Sequence, residues 1–266
     1  MSSDGMVMRT VRAVEYIEPL WEGTSLPAVM RADDGALYAV KFVGAGQGKK
    51  ALVAELICGE LARSLGFCVP RIVLVELDPS IAQTEPDQEI QQLLRASAGL
   101  NFGISFLEHA TRFSPLAPPE PTSAFASRLV WFDAFVTNVD RTPRNVNLLV
   151  KDGQVWLIDH GACLYFHHRW RDHLQQGETR FPQVRDHVLL SWADDLRAVD
   201  GAMHETLEQS LFEGIVDQVP APWLDWEGDP QPPEWYRRAY VDYFMHRLAI
   251  SERFVEEAED ARRRLI

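Results

Sequence analysis

Three side chains in the second half of the chain carry oxygen atoms at spacings that suit a metal and phosphate site. Asp140 and Asn145 lie in VTNVDRTPRNVNLL (136–149), and Asp159 closes the apolar run QVWLI (154–158). Polar side chains between two apolar runs need partners, either their own hydrogen bonds or a ligand. Mg²⁺ prefers carboxylate and amide oxygens and keeps coordination positions for phosphate and water. The triple therefore predicts a magnesium site.

A purely structural explanation competes with this prediction. Asp and Asn side chains in turns commonly accept hydrogen bonds from nearby backbone N–H groups, so Asp140 and Asn145 alone favour an ordinary turn. Adding Asp159 after a predicted strand leaves both explanations open. Asn147 competes with Asn145 for the ligand position, but its place at the start of an apolar strand indicates a structural hydrogen bond.

A β-hairpin is the element that must position these groups. VNLLV (146–150), an Asp-Gly turn and then QVWLI (154–158) predict a strand, a tight turn and a second strand. Paired strands anchor the residues at their shared end. This hairpin should therefore bring Asn145 and Asp159 close together.

The first half of the chain supplies a cation and a helix that can hold it. Lys41 lies on the predicted strand ALYAVKFV (36–43), and a helix predicted over residues 49–65 follows. Glu55 shares a helix face with small residues, whereas Glu60 lies nearer the edge of that face. A carboxylate on a packed face needs a cation, so we expect Glu55 to pair with Lys41. The alternative is a lysine whose stem covers the strand and whose ammonium reaches water.

Two glycine-containing loops are candidates for contact with phosphates. VGAGQGKK (43–50) lies between a strand and a helix, as a P-loop does, but its last lysine stands where that motif needs Ser or Thr. We interpret it as a connection whose amides and lysines can still approach phosphate. The hairpin tip EGTSLP (22–27) joins the first two predicted strands. Its residues Gly23, Thr24 and Ser25 are predicted to cover the phosphates of a nucleotide.

The order of elements predicts an α+β protein with two lobes. Three strands form an antiparallel meander, followed by one long helix, a strand, a short helix and an extended segment. A proline-rich stretch, SPLAPPEPTS (114–123), precedes a mainly helical part that ends in one helix after Pro233. We place the small antiparallel β lobe, with its helix, at residues 1–106 and the helical lobe at residues 107–266.

The composition is that of an ordinary globular protein and argues against several classes of partner. Apolar residues make up 46% and charged residues 24% of the chain, and no run approaches the roughly 18 apolar residues of a membrane span. The net charge of -13 opposes attraction to nucleic acid and to anionic bilayers. Three unevenly spaced cysteines and an N-terminus without a secretory pattern predict reduced thiols and a cytoplasmic location.

Taken in chain order, the five site residues Lys41, Glu55, Asp140, Asn145 and Asp159 resemble those of HipA-like kinases, in the phosphoinositide 3/4-kinase-like branch of the protein-kinase-like fold. TNVDRTPRNVNLL and VWLIDHG are similar to that branch's Asp-Arg-x-x-x-Asn and Ile-Asp-x-Gly motifs, and AELICGELARSLGFCVP is similar to its helix-to-strand junction. The chain has no G-x-G-x-x-G and no His-Arg before Asp140, and His160 replaces the Phe of Asp-Phe-Gly. These departures argue against an ordinary eukaryotic-type protein kinase.

The resemblance implies a bilobal kinase that uses ATP and Mg²⁺. Lys41, held by Glu55, would bind the α and β phosphates. Asn145 and Asp159 would hold the metal ion.

The same resemblance implies transfer of the γ-phosphoryl group to a hydroxyl acceptor, with protein Ser/Thr expected first. Asp140 would act on the acceptor hydroxyl, and Arg141 or Arg144 would stabilise charge that develops on the transferred group. Two alternatives stay open. One is a catalytically silent nucleotide-binding pseudokinase that docks a partner, and the other is a small-molecule or phosphoinositide kinase, although the acidic net charge argues against lipid.

A histidine-rich stretch offers a different hypothesis, a zinc site. His160, His167, His168 and His173 lie near Cys163, but no pair of Cys-x-x-Cys units and no His-Glu-x-x-His helix supports zinc. The stretch is more simply an activation segment whose aromatic and basic residues receive the substrate.

Overall fold

The structure is a computed structural model that describes residues 8–20, 26–46, 48–83, 85–226 and 230–265. The first part of the chain forms a closed barrel of five strands, in the order β1-β2-β3-β5-β4. These strands are β1 (Thr10–Pro19), β2 (Ala28–Ala32), β3 (Leu37–Lys41), β4 (Ile72–Leu77) and β5 (Gly99–Ser105).

The predicted meander of β1, β2 and β3 is present. Its second turn depends on Gly35, which has a φ of 80° and donates its N–H to the Ala32 carbonyl at 2.9 Å. The barrel closes through a parallel pairing of β1 with β4, in which Thr10 lies opposite Leu74. The sequence does not predict this pairing, because apolar alternation reports the face of a strand and not its neighbour.

Two helices accompany the barrel. Helix α1 (Gly48–Ser64) is buried at every position from Ala51 to Ala62, so it is covered on all sides by the barrel and by the second half of the molecule. Helix α2 (Gln88–Ala96) begins at Asp87, whose side chain accepts hydrogen bonds from the first backbone N–H groups of the helix.

The second half of the described chain contains a small sheet and six α-helices. The sheet has the antiparallel order β6-β7-β8, and β7 and β8 form the predicted hairpin. The elements are β6 (Thr111–Arg112), α3 (Ser123–Phe135), β7 (Leu148–Lys151), β8 (Gln154–Leu157), α4 (His173–Gly177), α5 (Leu196–Thr206), α6 (Gln209–Val216), α7 (Pro233–Ala249) and α8 (Glu252–Arg263).

The C-terminal stretch forms two helices, so the prediction of one helix after Pro233 is wrong. The break lies at Ile250, which has a φ of -120° and a ψ of 25°. It turns α8 against α3, where Phe254 meets Trp131 edge-on with 5.4 Å between ring centroids. Apolar residues continue across the break at helical spacing, which is why the sequence does not show it.

The predicted α+β architecture, a small β part followed by a mainly helical part, is confirmed. One large apolar cluster joins α1, the β7–β8 hairpin and the helices of the second half, and a smaller cluster fills the barrel. Across the described ranges, no helix is both long and apolar enough to cross a membrane.

Candidate active site

A cleft of about 630 Å³ lies between the barrel and the second half of the molecule. Its walls combine apolar side chains with polar ones, and both sets come from both halves. The apolar set includes Ala39, Ile104, Leu107, Leu149 and Ile158, and the polar set includes Glu18, Lys41, Glu55, Arg112, Asn145, Asn147 and Asp159.

Lys41 joins the two halves of the molecule through two carboxylates. Its Nζ donates to Glu55 Oε1 on α1 and, at 2.7 Å, to Asp159 Oδ1 just after β8. The Lys41 and Glu55 side chains are 14% and 3% exposed, whereas the Asp159 side chain is 35% exposed and lines the cleft. The predicted Lys41–Glu55 pair is therefore present, and Glu60 pairs with Arg63 at 3.0 Å instead.

Burial and ion pairing act against each other in this trio. Burial lowers the pKa of Lys41, but the charges of Glu55 and Asp159 outweigh it and raise that pKa above its ordinary value. Burial raises the pKa of Asp159, but the Lys41 ammonium outweighs it and the pKa is lowered. For Glu55 burial dominates, and the pKa is raised. Lys41 and Asp159 therefore both carry charge at neutral pH.

Close contact with α1 shapes the turn after β8. Asp159 has a φ of 56°, a conformation that is uncommon outside glycine and that clusters at functional sites. The His160 N–H donates to Glu55 Oε2 at 2.9 Å. A Cβ built on Gly161 would lie 3.1 Å from Glu55 Oε1. Glycine at position 161 thus lets the Glu55 carboxylate approach the turn.

Two amides hold Asp140 in place. Its Oδ2 accepts from Asn145 Nδ2 at 2.7 Å and from Asn147 Nδ2 at 3.2 Å. Burial raises the pKa of Asp140, these two amides lower it and the Asp159 charge raises it, with a raised pKa as the result. The turn therefore does hold itself by hydrogen bonds, but the donors to Asp140 are side-chain amides and not the backbone N–H groups that the structural explanation names. The same hydrogen bonds also fix Asp140 beside the two asparagines that line the cleft.

Asn145 and Asp159 line the same cleft and carry amide and carboxylate oxygens, the donor type that hard divalent cations prefer. The Asn145 amide N–H donates to Asp140, and its Oδ1 accepts no hydrogen bond within the described part of the chain. Asp159 adds an ionised carboxylate in the same cleft. Among the residues that the structure describes, no group of three His, Cys, Asp or Glu side chains could hold a metal ion. A cation at Asn145 and Asp159 would therefore need further oxygen ligands from phosphate or water.

Arg141 does not reach the cleft, and its predicted role beside the transferred phosphoryl group does not fit the structure. It is 1% exposed, its Nε donates to Asp133 Oδ2 at 2.6 Å, and its Nη1 donates to the Asn147 carbonyl. His187 also contacts Asp133 Oδ2, at 2.9 Å. The guanidinium neutralises a buried carboxylate and anchors the loop. Arg144, by contrast, is exposed.

The two glycine-containing loops have different outcomes. Gly23, Thr24 and Ser25 lie outside the described residues, so their predicted contact with phosphates stays a prediction. The loop after β3, which includes Val43 and Gly44, is hydrogen-bonded to residues at the end of α2 and in β5. The Val43 N–H donates to Asn101 Oδ1 at 2.8 Å and the Gly44 N–H to Ser97 Oγ at 3.2 Å. These two amides therefore already have partners within the protein. They do not make the contact with phosphate that the sequence left open.

Comparison with known proteins gives the family. The HipA-like kinase family matches residues 13–252, which is most of the chain. The chain belongs to the HipA-like kinase family. It is therefore a kinase, as the sequence predicts. No curated protein matches its sequence.

Solved kinase structures share the fold at low sequence identity. The Helicobacter pylori proinflammatory kinase CtkA has a TM-score of 0.55 and 11% identity, with 97% of this chain and 99% of that chain covered. The Golgi casein kinase with Mn and ADP bound has a TM-score of 0.52 and 13% identity, with 96% and 74% covered. A second structure of the Golgi casein kinase has a TM-score of 0.50 and 12% identity, with 95% and 72% covered. These likenesses confirm the protein-kinase-like fold.

Sequence reasoning misses two residues that matter to the kinase site. Arg112 lines the cleft, and its Nη2 donates to the Arg144 carbonyl at 2.7 Å, next to Asn145. Nothing in the local sequence marks this arginine. Asp133 holds Arg141, and here a signal exists, because an Asp inside the apolar helix α3 must find a cation. Arg141 turns inward because the buried Asp133 carboxylate needs a cation.

Proposed function

We propose that this kinase transfers the γ-phosphoryl group of Mg²⁺-ATP to a hydroxyl acceptor, most directly a Ser or Thr of a protein. The observation that carries the proposal is the Lys41 ammonium held between Glu55 and Asp159 inside the cleft. It places one fixed positive charge and an ionised carboxylate where a triphosphate with its cation would lie.

The nucleotide would be oriented by charge at one wall and by apolar contact at another. Lys41 would donate to the α and β phosphates, and the Glu55 carboxylate would keep its ammonium in place. The Ala39, Ile104 and Leu149 side chains line the same cleft and suit the flat base. Asn145 and Asp159 would hold the cation. When bound, this cation would neutralise the negative charge of the phosphates.

Asp140 would act as the base toward the substrate hydroxyl: it would accept a hydrogen bond from this hydroxyl and then its proton. A carboxylate with a raised pKa is a better base than an ordinary one, and the Asn145 and Asn147 amides fix the direction of its oxygens. Asp140 can take the proton of the hydroxyl only when its carboxylate is ionised, so the pKa of Asp140 must still lie below the working pH. The neighbouring amides, which lower the pKa, favour this.

The proposal extends to the branch of the fold, the lobe boundary, the location and the class of acceptor. The Asp-Arg-x-x-x-Asn and Ile-Asp-x-Gly motifs support the phosphoinositide 3/4-kinase-like branch, and the barrel that ends at Ser105 supports a lobe boundary between residues 106 and 107. Three free cysteines support a cytoplasmic location. The net charge of -13 supports a protein acceptor over lipid or nucleic acid.

A combined binding and turnover assay tests this function. Mg²⁺-ATP should raise the melting temperature of the wild-type protein, and ATP should be consumed when a panel of protein, peptide, small-molecule and lipid acceptors is supplied. Mass spectrometry of the panel would locate the added phosphate. A thermal shift without consumption over the whole panel would point to the silent nucleotide-binding module instead.

A further inference from the structure

Two arginines hold the loop between α3 and β7 from opposite sides. From the interior, Arg141 Nη1 donates to the Asn147 carbonyl. From the cleft, Arg112 Nη2 donates at 2.7 Å to the Arg144 carbonyl, which belongs to the peptide group that leads into Asn145. The candidate metal ligand Asn145 therefore lies between two carbonyls that are each bound by a guanidinium.

The backbone of Arg112 is fixed to the same stretch of chain. Arg112 lies opposite Leu149 in the pairing of β6 with β7, and the next N–H, that of Phe113, donates to the Leu148 carbonyl at 3.0 Å. One residue thus contacts the chain before Asn145 through its side chain and after Asn145 through its backbone. Arg112 therefore bridges residues 144–149.

The bridged stretch depends on contacts of this kind. Asn147 has a φ of 50°, in the left-handed region, which persists outside glycine where neighbouring contacts impose it. Asn145 offers a metal ion only its amide oxygen, because its Nδ2 donates to Asp140 Oδ2 at 2.7 Å. The place of that oxygen is set by the backbone on both sides of Asn145, and this is the backbone that Arg112 holds.

The charge of Arg112 is used differently from that of Lys41, the other cation that lines the cleft in the described part of the chain. Lys41 pairs with two carboxylates, Glu55 and Asp159. Arg112 forms no ion pair with a carboxylate of the described residues, and its hydrogen bond goes to the backbone of the loop. Direct contact of its guanidinium with a phosphate group is the competing explanation. That explanation requires Arg112 to strengthen the binding of ATP even without a metal ion.

We propose that Arg112 is a positioning residue of the metal site. By holding the Arg144 carbonyl, it fixes the amide oxygen of Asn145 where a divalent cation that is bound to the nucleotide can reach it. The proposal rests on the proposed function and adds a residue that acts through Asn145. Removal of a group that orients a metal ligand typically lowers metal affinity by roughly 10- to 100-fold.

Calorimetric titration with ATP, once in Mg²⁺ and once in EDTA, tests the proposal. The measured quantity is the factor by which Mg²⁺ tightens ATP binding. Arg112→Met keeps an unbranched stem without donors, so it should lower this factor about tenfold or more and leave the affinity for metal-free ATP as in wild type. Arg112→Lys keeps N–H donors and should recover part of the factor. Arg238→Met removes an exposed arginine of α7 outside the cleft and is the matched control, with the wild-type factor expected.

Hydrogen exchange of the metal-free protein is a second measurement that needs no ligand. The backbone amides of residues 142–147 should exchange several-fold faster in Arg112→Met than in wild type, because the loop loses its contact on the cleft side, while those of α5 should not change.

The outcomes separate this proposal from the proposed function. An unchanged Mg²⁺ factor in Arg112→Met would overturn the proposal and leave the proposed function standing. A lowered factor without faster exchange would also overturn it, since the effect would not pass through the loop. So would weaker binding of metal-free ATP, which would assign a direct phosphate contact to Arg112. Wild-type protein that binds no Mg²⁺-ATP would remove the proposed function and this proposal with it.

Discussion

The Lys41 ammonium lies between two carboxylates, so its removal should affect both catalysis and folding. Lys41→Met should lower kcat/KM for ATP by about 10²–10³, the usual cost of losing one fixed charge at the reacting phosphates. It also leaves the buried Glu55 carboxylate without its cation, which costs about 3–5 kcal/mol in the free energy of unfolding. Kinetics and urea denaturation measure the two effects.

The double variant Lys41→Met/Glu55→Gln separates the two effects. It should recover much of the lost stability, because no unpaired charge stays buried, while activity should not return. A single variant as stable as wild type, or a double variant less stable than the single one, would contradict the ion-pair assignment.

The pH dependence of transfer belongs to Asp140. Activity requires the ionised carboxylate, so kcat/KM should be full above the Asp140 pKa and fall as the pH drops through it, and this pKa is raised above its ordinary value. Asn147→Gly removes an amide that lowers the pKa, and glycine accepts the φ of 50° at this position. The acidic limb of the pH–rate profile should therefore move to higher pH. A limb that stays in place or moves down would show that another group titrates.

At the scale of single residues, the sequence predicts an ion pair when each member is a charged residue that must be buried and therefore needs an opposite charge. Glu55 on a packed helix face needs a cation, and Lys41 lies on the preceding strand, so their pairing follows. Arg141 adjoins Asp140 in sequence, yet it turns toward Asp133, which is buried eight residues earlier. Sequence adjacency does not reveal the side on which a loop residue finds its partner. The left-handed φ of Asp159 is likewise invisible in the sequence.

At the scale of elements, the approach of α1 to the turn after β8 depends on Gly161. In Gly161→Ala the new Cβ would lie 3.1 Å from Glu55 Oε1, so the carboxylate must move by a few tenths of an ångström. Because catalysis is sensitive to such displacements, kcat should fall roughly tenfold.

Gly201→Ala is the control for this substitution. Gly201 lies in α5, and no atom lies within 4 Å of a Cβ built there, so alanine should keep full activity. It should also stabilise the helix by roughly 0.5–1 kcal/mol. Full activity in Gly161→Ala would show that the close approach is not needed.

Elements with strong local signals are predictable from the sequence, and their partners are not. The β7–β8 hairpin follows from its Asp-Gly turn between two apolar runs, and α1 follows from its apolar pattern. The parallel pairing of β1 with β4 closes the barrel through residues more than sixty positions apart. The break at Ile250 arises from packing of α8 on α3 and has no Pro or Gly to announce it.

At the scale of the whole molecule, Arg247 ties three segments of the helical part together. Its guanidinium is fully buried and donates to the carbonyls of Phe135 at 2.7 Å, Gly177 at 2.6 Å and Thr179 at 3.0 Å, and also to that of Ala134. Arg247→Lys keeps the charge but has too few N–H groups for the four carbonyls. It should therefore lower the free energy of unfolding by about 1–3 kcal/mol per lost acceptor.

Arg238→Lys on the same helix is the matched control. Arg238 is 75% exposed and pairs with Asp242 at the surface, so its replacement should change stability by less than about 0.5 kcal/mol. Thermal denaturation of both variants measures the difference. Equal melting temperatures would mean that Arg247 does not join these segments.

The central claim is that the cleft binds a metal-nucleotide through Asp159, and that Asp140 takes the proton of the hydroxyl group that receives the phosphoryl group. Calorimetric titration with Mg²⁺-ATP, paired with a transfer assay on the same samples, tests it in Asp159→Asn and Asp140→Asn. Asp159→Asn should lose Mg²⁺-dependent binding, and Asp140→Asn should bind ATP nearly as wild type while transfer disappears. Undiminished transfer by Asp140→Asn, or unchanged Mg²⁺-dependent binding by Asp159→Asn, would contradict the account.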